Sequence, residues 1–268
     1  MYDGKSAAAT RKTKLKELVK KLPQLTIYSL VFQEDKASTI YASLKQKDAE
    51  EVGIRYMVET FPIATPLKDV ITKLEKAAGN DGITGIIVQK PIKSLEPTPE
   101  WWGQIVRAIP KRKDVDGLKS DEFVLPATAR AILTILDDAC VQLKETLENK
   151  SALVIGRSAI VGAPVAQELQ RKNMHVLLFG RQELLKNPDM VGQADVVVCA
   201  SGQSNLLNAK QLKQGVIVID AGSPKPEVVA DGLDQVARFT TPVPGGVGPM
   251  TRVCLLENLI DLVQYSNQ

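Results

Sequence analysis

A chain of 268 residues, 44% apolar and 24% charged, has the composition of a soluble globular protein with room for one large domain or two medium ones. A net charge of +3, from 34 basic and 31 acidic residues, is too balanced to argue for a nucleic-acid partner. No apolar run approaches bilayer length, and the lysine-dense N-terminus has no apolar signal core, so no membrane partner and a reducing cytosol are expected. The cysteines, Cys140, Cys199 and Cys254, are odd in number and lie in apolar runs, which predicts buried free thiols and no metal site. The single histidine, His175, opens a strand-like run and reads as a strand-edge residue. Ser–His–Asp catalysis and His-rich zinc sites are thereby disfavoured, and proton transfer falls to another residue type.

Strand-like and helical runs alternate along the chain, the pattern of an α/β architecture with parallel sheets. Thr26–Phe32 predicts a strand, followed by a helix from about Thr39 with Ser38 as N-cap. Residues 55–60 predict a second strand. Thr65 and Pro66 then open a helix whose apolar stripe is Leu67, Val70, Ile71 and Leu74, with Gly79 as its stop. Residues 85–89 predict a buried third strand, and Thr98-Pro99 opens a helix carrying Trp101, Trp102, Ile105 and Val106. A long helix over about 129–147 leads into a second α/β unit with strands at 152–156, His175–Phe179, 195–200 and Val216–Asp220. A short strand-like run at 237–241, a Pro/Gly segment at 242–251 and a last helix over about 250–265 complete the order. The expected organisation is a first domain over 1–125, with helix 250–268 packing back on it, and a second domain over 126–249.

Four stretches carry chemistry besides the Pro/Gly segment. Tyr41 and Lys45 stand four apart on one helical face, whereas Lys47 points around the helix towards solvent. Alone, such a pair is usually an amphipathic packing detail. Gln89 ends a buried strand, and active sites of open α/β sheets lie beyond the carboxyl ends of strands. Lys113-Asp-Val-Asp-Gly117 reads by itself as a turn with solvated charge. Gly156-Arg-Ser-Ala-Ile-Val-Gly162-Ala-Pro164 follows a strand and enters a helix, but its spacing is not G-x-G-x-x-G. It fits either a dinucleotide loop or a simple strand–helix turn. Pro242-Val-Pro-Gly-Gly-Val-Gly-Pro-Met-Thr251 is either a surface turn or a shaped backbone that lets a flat ligand approach.

In this order, the motifs resemble those of the methylenetetrahydrofolate dehydrogenase/methenyltetrahydrofolate cyclohydrolase family. They are S-x-x-Y-x-x-x-K-x-K at 38–47, V-Q-x-P at 88–91, K-D-V-D-G at 113–117, G-R-S-x-I-V-G-x-P at 156–164 and the Pro/Gly segment at 242–251. The resemblance implies an N-terminal α/β folate-binding catalytic domain, a Rossmann-like cofactor domain with a parallel sheet, and a cleft between them. It implies NADP-dependent oxidation of 5,10-methylenetetrahydrofolate and hydrolysis of the methenyl product to 10-formyltetrahydrofolate. In that scheme Lys45 transfers protons, Gln89 orients it, Tyr41 flanks the folate rings and Asp116 grips the pterin. Backbone around Pro244, Gly245 and Gly248 lines the substrate. Gly156, Arg157 and Ser158 contact the cofactor, with Arg157 facing the adenosine 2′-phosphate and Arg181 as a second candidate for it. Ser223 meets the cofactor where the family has an aliphatic residue. A cytoplasmic homodimer is also implied.

The chain departs from the family pattern at Gln33-Glu-Asp-Lys-Ala37, at Pro126-Ala-Thr-Ala-Arg-Ala131, at Phe179-Gly-Arg-Gln-Glu183 and at Asp220-Ala-Gly-Ser-Pro224. The stretch from Gly117 to Pro126 is also shorter than the pattern. Because several departures fall around the expected cofactor cleft, NAD stands as the alternative to NADP. A cyclohydrolase with reduced dehydrogenase activity, or a non-catalytic folate- or nucleotide-binding protein, are the competing readings.

Overall fold

A computed structural model describes residues 1–119 and 123–266. Residues 120–122, within the short Gly117-to-Pro126 stretch, and the final two residues of the expected helix 250–268 lie outside the described residues. The chain forms two compact units: Thr10–Leu125 with Leu255–Gln268, and Met1–Ala9 with Pro126–Cys254.

The first unit is built on β1 (Thr26–Phe32), β2 (Arg55–Phe61) and β3 (Gly85–Val88), a parallel sheet in the order β2-β1-β3. Every residue of β1 is buried, as a central strand covered on both faces requires. Tyr28, Leu30 and Phe32 point to one face and join Val70, Leu74, Trp101 and Ile105 in a core supplied by α3 (Leu67–Ala78) and α4 (Trp101–Ala108). Strand alternation sends Ile27, Ser29 and Val31 to the other face, along with Tyr56 of β2 and Gly85, Ile87 and Gln89 at β3. That face is packed tightly at Gly85. A Cβ there would lie 2.3 Å from Val115 Cγ2 and 2.7 Å from Leu259 Cδ1.

Helix α2 (Lys36–Glu51) starts three residues before the expected Thr39, and its N-cap is Asp35, not Ser38. The Asp35 carboxylate accepts the Ser38 N–H at 3.1 Å, the Ser38 hydroxyl at 2.8 Å and the Ile92 N–H at 2.9 Å. Burial pushes this carboxyl's pKa up, but those donors outweigh it and hold it below the ordinary range. Asp35 therefore fastens the start of α2 to the loop leaving β3.

In the second unit, α5 (Ala127–Leu143) precedes β4 (Ser151–Ile155), α6 (Gly162–Arg171), β5 (His175–Phe179), α7 (Arg181–Lys186), β6 (Val196–Cys199), β7 (Val216–Asp220), α8 (Leu233–Val236) and β8 (Ala237–Thr240). Its five strands are parallel in the order β5-β4-β6-β7-β8. Helix α5 stops short of the expected residue 147 because Lys144 adopts a left-handed conformation, φ 54°, and caps it. His175 is exposed on edge strand β5, as a strand-edge residue should be. Cys140, Cys199 and Cys254 are free thiols; Cys199 and Cys254 are buried and Cys140 is half-buried.

The sequence predicts no element before residue 26, yet α1 spans Gly4–Val19. Its buried positions, Ala8, Leu15 and Val19, are too sparse to mark an apolar stripe. Residues 1–9 group with the second unit, not with the expected domain over 1–125. Tyr2 explains this: its N–H donates to Thr240 O at 2.8 Å and its hydroxyl to Asp138 at 2.6 Å. Helix α9 (Val247–Ser266) begins inside the Pro/Gly segment, earlier than the expected Met250. Pro249 is tolerated there because the first turn of a helix has no intrahelical partner for its N–H groups. No helix among the described residues is long and apolar enough to cross a membrane.

Candidate active site

Three of the expected residues converge in the first unit. Lys45, on the face of α2 that meets the sheet, is only 4% exposed. Its Nζ lies 3.3 and 3.4 Å from the Asp116 carboxylate oxygens and 5.2 Å from the centroid of the Tyr41 ring. A tight ammonium–carboxylate contact is about 2.7–2.9 Å, so this pair is loose and leaves both groups capacity for a ligand. Lys47 is exposed. Gln89, just past β3, has its amide oxygen buried with no hydrogen-bond partner, and no hydrogen bond joins it to Lys45.

The K-D-V-D-G segment is built to present Asp116. Lys113 Nζ donates to the carbonyls of Ala78 and Asn80 at 2.8 and 2.9 Å, anchoring the segment to the end of α3. Burial pushes the Lys113 pKa down. Asp114 accepts the Lys119 N–H at 2.9 Å, Val115 fills the space over Gly85, and Gly117 takes a left-handed φ of 66°. From α9, the fully buried Asn258 donates its amide to Val115 O and Leu125 O, both at 2.9 Å. Sequence reasoning missed Asn258, since one amide in an apolar helix carries no motif.

Ser29 and Tyr56 were missed as well. They sit on the Gln89 face of the sheet, and both hydroxyls are buried with no hydrogen-bond partner. Burial pushes the Tyr56 phenol up, and the nearby Asp116 and Tyr41 add to the rise. Polar atoms without partners are expensive inside a sheet face, and here Ser29, Tyr56 and Gln89 share one face of the sheet, with Tyr56 close enough to Asp116 to feel its charge.

The second unit offers backbone where the first offers side chains. Gly156, at φ 120°, follows β4 and donates its N–H to Phe179 O at 2.8 Å. A Cβ at Gly156 would fall 2.1 Å from Ala200 O, and one at Gly162 would fall 1.7 Å from Gly156 O. Both positions accept glycine alone, and the bare turn running into α6 fits a dinucleotide pyrophosphate. Ser158 shapes the turn by accepting the Ile160 N–H at 3.3 Å. Arg157 Nη1 is 2.9 Å from Glu183 Oε1, an acidic partner that motif reasoning did not foresee. Arg181 is exposed at the start of α7 and forms no ion pair among the described residues.

Ser223 is exposed in the loop after β7. Two buried acids hold that region. Asp220 accepts the N–H groups of Gly222, Glu227 and Val228 at 2.8–2.9 Å, and Glu227 accepts those of Ser201 and Gly202. In the Pro/Gly segment, Pro244 and Gly248 are exposed and Gly245 takes φ 113°. Gly4 seats against this loop: a Cβ on it would lie 2.1 Å from Gly246 O.

Comparison with known proteins assigns a family to the two units. Residues 2–116 match the catalytic domain of tetrahydrofolate dehydrogenase/cyclohydrolase, and residues 126–267 match the NAD(P)-binding domain of the same enzymes. The chain is 32% identical over 282 residues to the bifunctional protein FolD of Halalkalibacterium halodurans, covering 97% of both chains. It is 33% identical over 292 residues to that of Pelagibacter ubique, covering 100% of this chain and 99% of the relative. The solved Trypanosoma brucei N5,N10-methylenetetrahydrofolate dehydrogenase-cyclohydrolase, complexed with NADP cofactor and inhibitor, superposes with a TM-score of 0.90. Its identity is 26%, over 100% of this chain and 98% of that one. The chain belongs to the tetrahydrofolate dehydrogenase/cyclohydrolase family.

Proposed function

We propose that this chain oxidises 5,10-methylenetetrahydrofolate with NADP and hydrolyses the resulting 5,10-methenyl cation to 10-formyltetrahydrofolate. The observation that carries the reading is a lysine withdrawn from solvent yet only loosely paired: Lys45, 4% exposed, with Asp116 at 3.3 Å. A lysine kept for packing or stability would close that gap.

Bound at the Gly156 turn, the dinucleotide supplies the hydride acceptor. Oxidation leaves a cation shared by the two folate nitrogens, so the chain's part in that step is positioning. Asp116 suits the donor edge of a 2-aminopyrimidinone ring, because its two oxygens accept two parallel hydrogen bonds. The Tyr41 ring, 5.2 Å from Lys45 Nζ, flanks the folate rings. In hydrolysis, water adds to the methenyl carbon and loses a proton, then the carbon–N5 bond breaks as N5 gains that proton and the carbinol hydroxyl releases its remaining proton to solvent, leaving the formyl carbonyl on N10. Lys45 Nζ takes the first proton and returns it. The unpartnered Gln89 oxygen is free to accept from Lys45 or from substrate. Backbone at Pro244, Gly245 and Gly248 lines the substrate.

On the cofactor side, Gly156, Arg157 and Ser158 hold the dinucleotide, Arg157 and Arg181 favour the 2′-phosphate of NADP, and Ser223 meets the cofactor from the loop after β7. The same reading makes the chain a cytoplasmic homodimer. Edge strand β5, with Leu177 40% exposed, supports self-association. Light scattering of the purified chain tests it.

The decisive assay gives purified protein 5,10-methylenetetrahydrofolate with NADP or NAD and follows reduced cofactor and methenyl product separately. Both activities are expected. Methenyl hydrolysis without cofactor reduction would overturn the dehydrogenase half, and no turnover of either kind would leave a binding protein.

A further inference from the structure

The rim of the Gly156 turn contains an ion pair that the proposed NADP chemistry does not need. Phe179 ends β5 with its carbonyl bonded to the Gly156 N–H, so the end of this strand is held against the glycine turn. The next residue, Gly180, donates its N–H to Glu183 Oε2 at 3.0 Å. Glu183 Oε1 in turn meets Arg157 Nη1 at 2.9 Å, while Arg157 Nη2 reaches Leu178 O at 3.4 Å. Both side chains close over Gly180: a Cβ there would lie 3.0 Å from Glu183 Oε2 and 3.4 Å from Arg157 Cδ. Their outer surfaces stay open, at 55% for Arg157 and 36% for Glu183. The Glu183 carboxyl is held below its ordinary range by its own N–H, then by the Gly180 N–H and by Arg157, so it is ionised at neutral pH.

In dinucleotide domains, an acidic residue beyond the second strand accepts the adenosine 2′-hydroxyl, whereas an arginine there receives a 2′-phosphate. This chain carries such an acid, Glu183, bound to an arginine of the adjoining glycine turn, Arg157. We propose that Glu183 determines cofactor specificity by occupying Arg157 and offering its own carboxylate to a 2′-hydroxyl, so that NADP and NAD bind with little discrimination. The inference rests on the dinucleotide reading of the Gly156 turn. A 2′-phosphate has to share or displace the Arg157 guanidinium and comes to rest beside a carboxylate. A 2′-hydroxyl meets no such conflict, because each carboxylate oxygen keeps a free lone pair. An exposed ion pair is weak, so the competition narrows the preference without abolishing NADP binding. Arg181, with no ion pair among the described residues, remains as a second cation for the phosphate.

The test is calorimetric titration of the full chain with adenosine 2′,5′-bisphosphate and with adenosine 5′-monophosphate, which differ only at the 2′ position, followed by NADP and NAD. Wild-type Kd values within about tenfold of each other are expected for each pair. Glu183→Gln keeps an oxygen for the Gly180 N–H and removes the charge. It should tighten the 2′-phosphorylated ligands by about tenfold relative to their 2′-hydroxyl counterparts, as expected for relief of one like-charge contact. If the wild type binds both nucleotides and the Glu183→Gln ratio stays within about twofold of wild type, Glu183 has no such role, since a tenfold change is only 1.4 kcal/mol and well within reach of calorimetry. If the wild type binds neither nucleotide, the dinucleotide reading itself falls and the inference falls with it. Thermal unfolding of the variant separates a lost fold from a changed ratio.

Discussion

The two units assemble function from opposite materials. In the three-stranded unit the proposed working groups are side chains, Lys45, Tyr41, Asp116 and Gln89, on a scaffold fastened by buried hydrogen bonds such as those of Asp35 and Asn258. In the five-stranded unit the candidate site is bare backbone at Gly156 and Gly162 with Arg157, Arg181 and Glu183 at its exposed rim, and the buried acids Asp220 and Glu227 brace the neighbouring loops. A charge that must move protons is best kept from water, and burial needs a scaffold that satisfies every neighbour. A phosphate chain needs only close approach and donors, which glycine provides without any side chain. Damage to the first unit should therefore appear in folate binding and chemistry, and damage to the second in dinucleotide binding.

The sharpest test of that contrast is Lys45→Met. Loss of the proton carrier should cut methenyl hydrolysis by about 10³-fold while leaving dinucleotide affinity intact, measured by stopped assay and titration on the same sample. Unchanged hydrolysis would move proton transfer elsewhere. Gly156→Ala is its mirror. The new Cβ meets Ala200 O at 2.1 Å in a backbone with φ 120°, so a loss of about 2–4 kcal/mol in denaturant unfolding is expected, with dinucleotide binding lost. If hydrolysis also vanished in a folded Gly156→Ala protein, the division of labour between the units would be wrong.

Asn258→Ala tests whether the scaffold or the charge places Asp116. It leaves the carbonyls of Val115 and Leu125 without that donor, at a cost of about 1–3 kcal/mol, and should raise KM for folate more than it lowers kcat. The smallest effect concerns Asp195, in the second unit, where charge serves stability alone. Burial raises its carboxyl, but Lys213 at 2.6 Å and the N–H and hydroxyl of Ser151 outweigh this and bring it down to about 2. A depressed carboxyl stabilises the fold above its unfolded pKa, and that contribution disappears as the pH falls through the folded value. Asp195→Asn should cost about 1 kcal/mol at neutral pH, a difference from wild type that closes between about pH 4 and pH 2. A pH-independent gap would assign the loss to packing.

Much of this was legible in the chain. Strands β1 and β4 to β7 announce themselves as short apolar runs bounded by turn residues, and the motif order alone carries the family. The missing parts share a physical cause: each is decided by a contact distant in sequence. Ser38 and Asp35 are both good cap residues, and only the Ile92 N–H, reaching in from the β3 exit, makes Asp35 the cap. Helix α1 is held by Tyr2 and by a few spaced apolar side chains, so it shows no stripe. Tyr56 and Ser29 look like ordinary strand residues until their hydroxyls are found without partners. The Arg157–Glu183 pair joins the turn after β4 to the first turn of α7, which no local pattern connects.

The Asp35 clasp has a further consequence. One carboxylate ties the first turn of α2 to the loop beyond β3, so the helix cannot slide along the sheet without breaking that tie. Lys45 lies about two and a half turns along the same helix, which fixes the height of its stem above the strand end that carries Gln89. Its amine then works as a ruler of constant length. Replacing it with homologues one methylene shorter or longer would calibrate, in steps of a single carbon, how far the proton must travel.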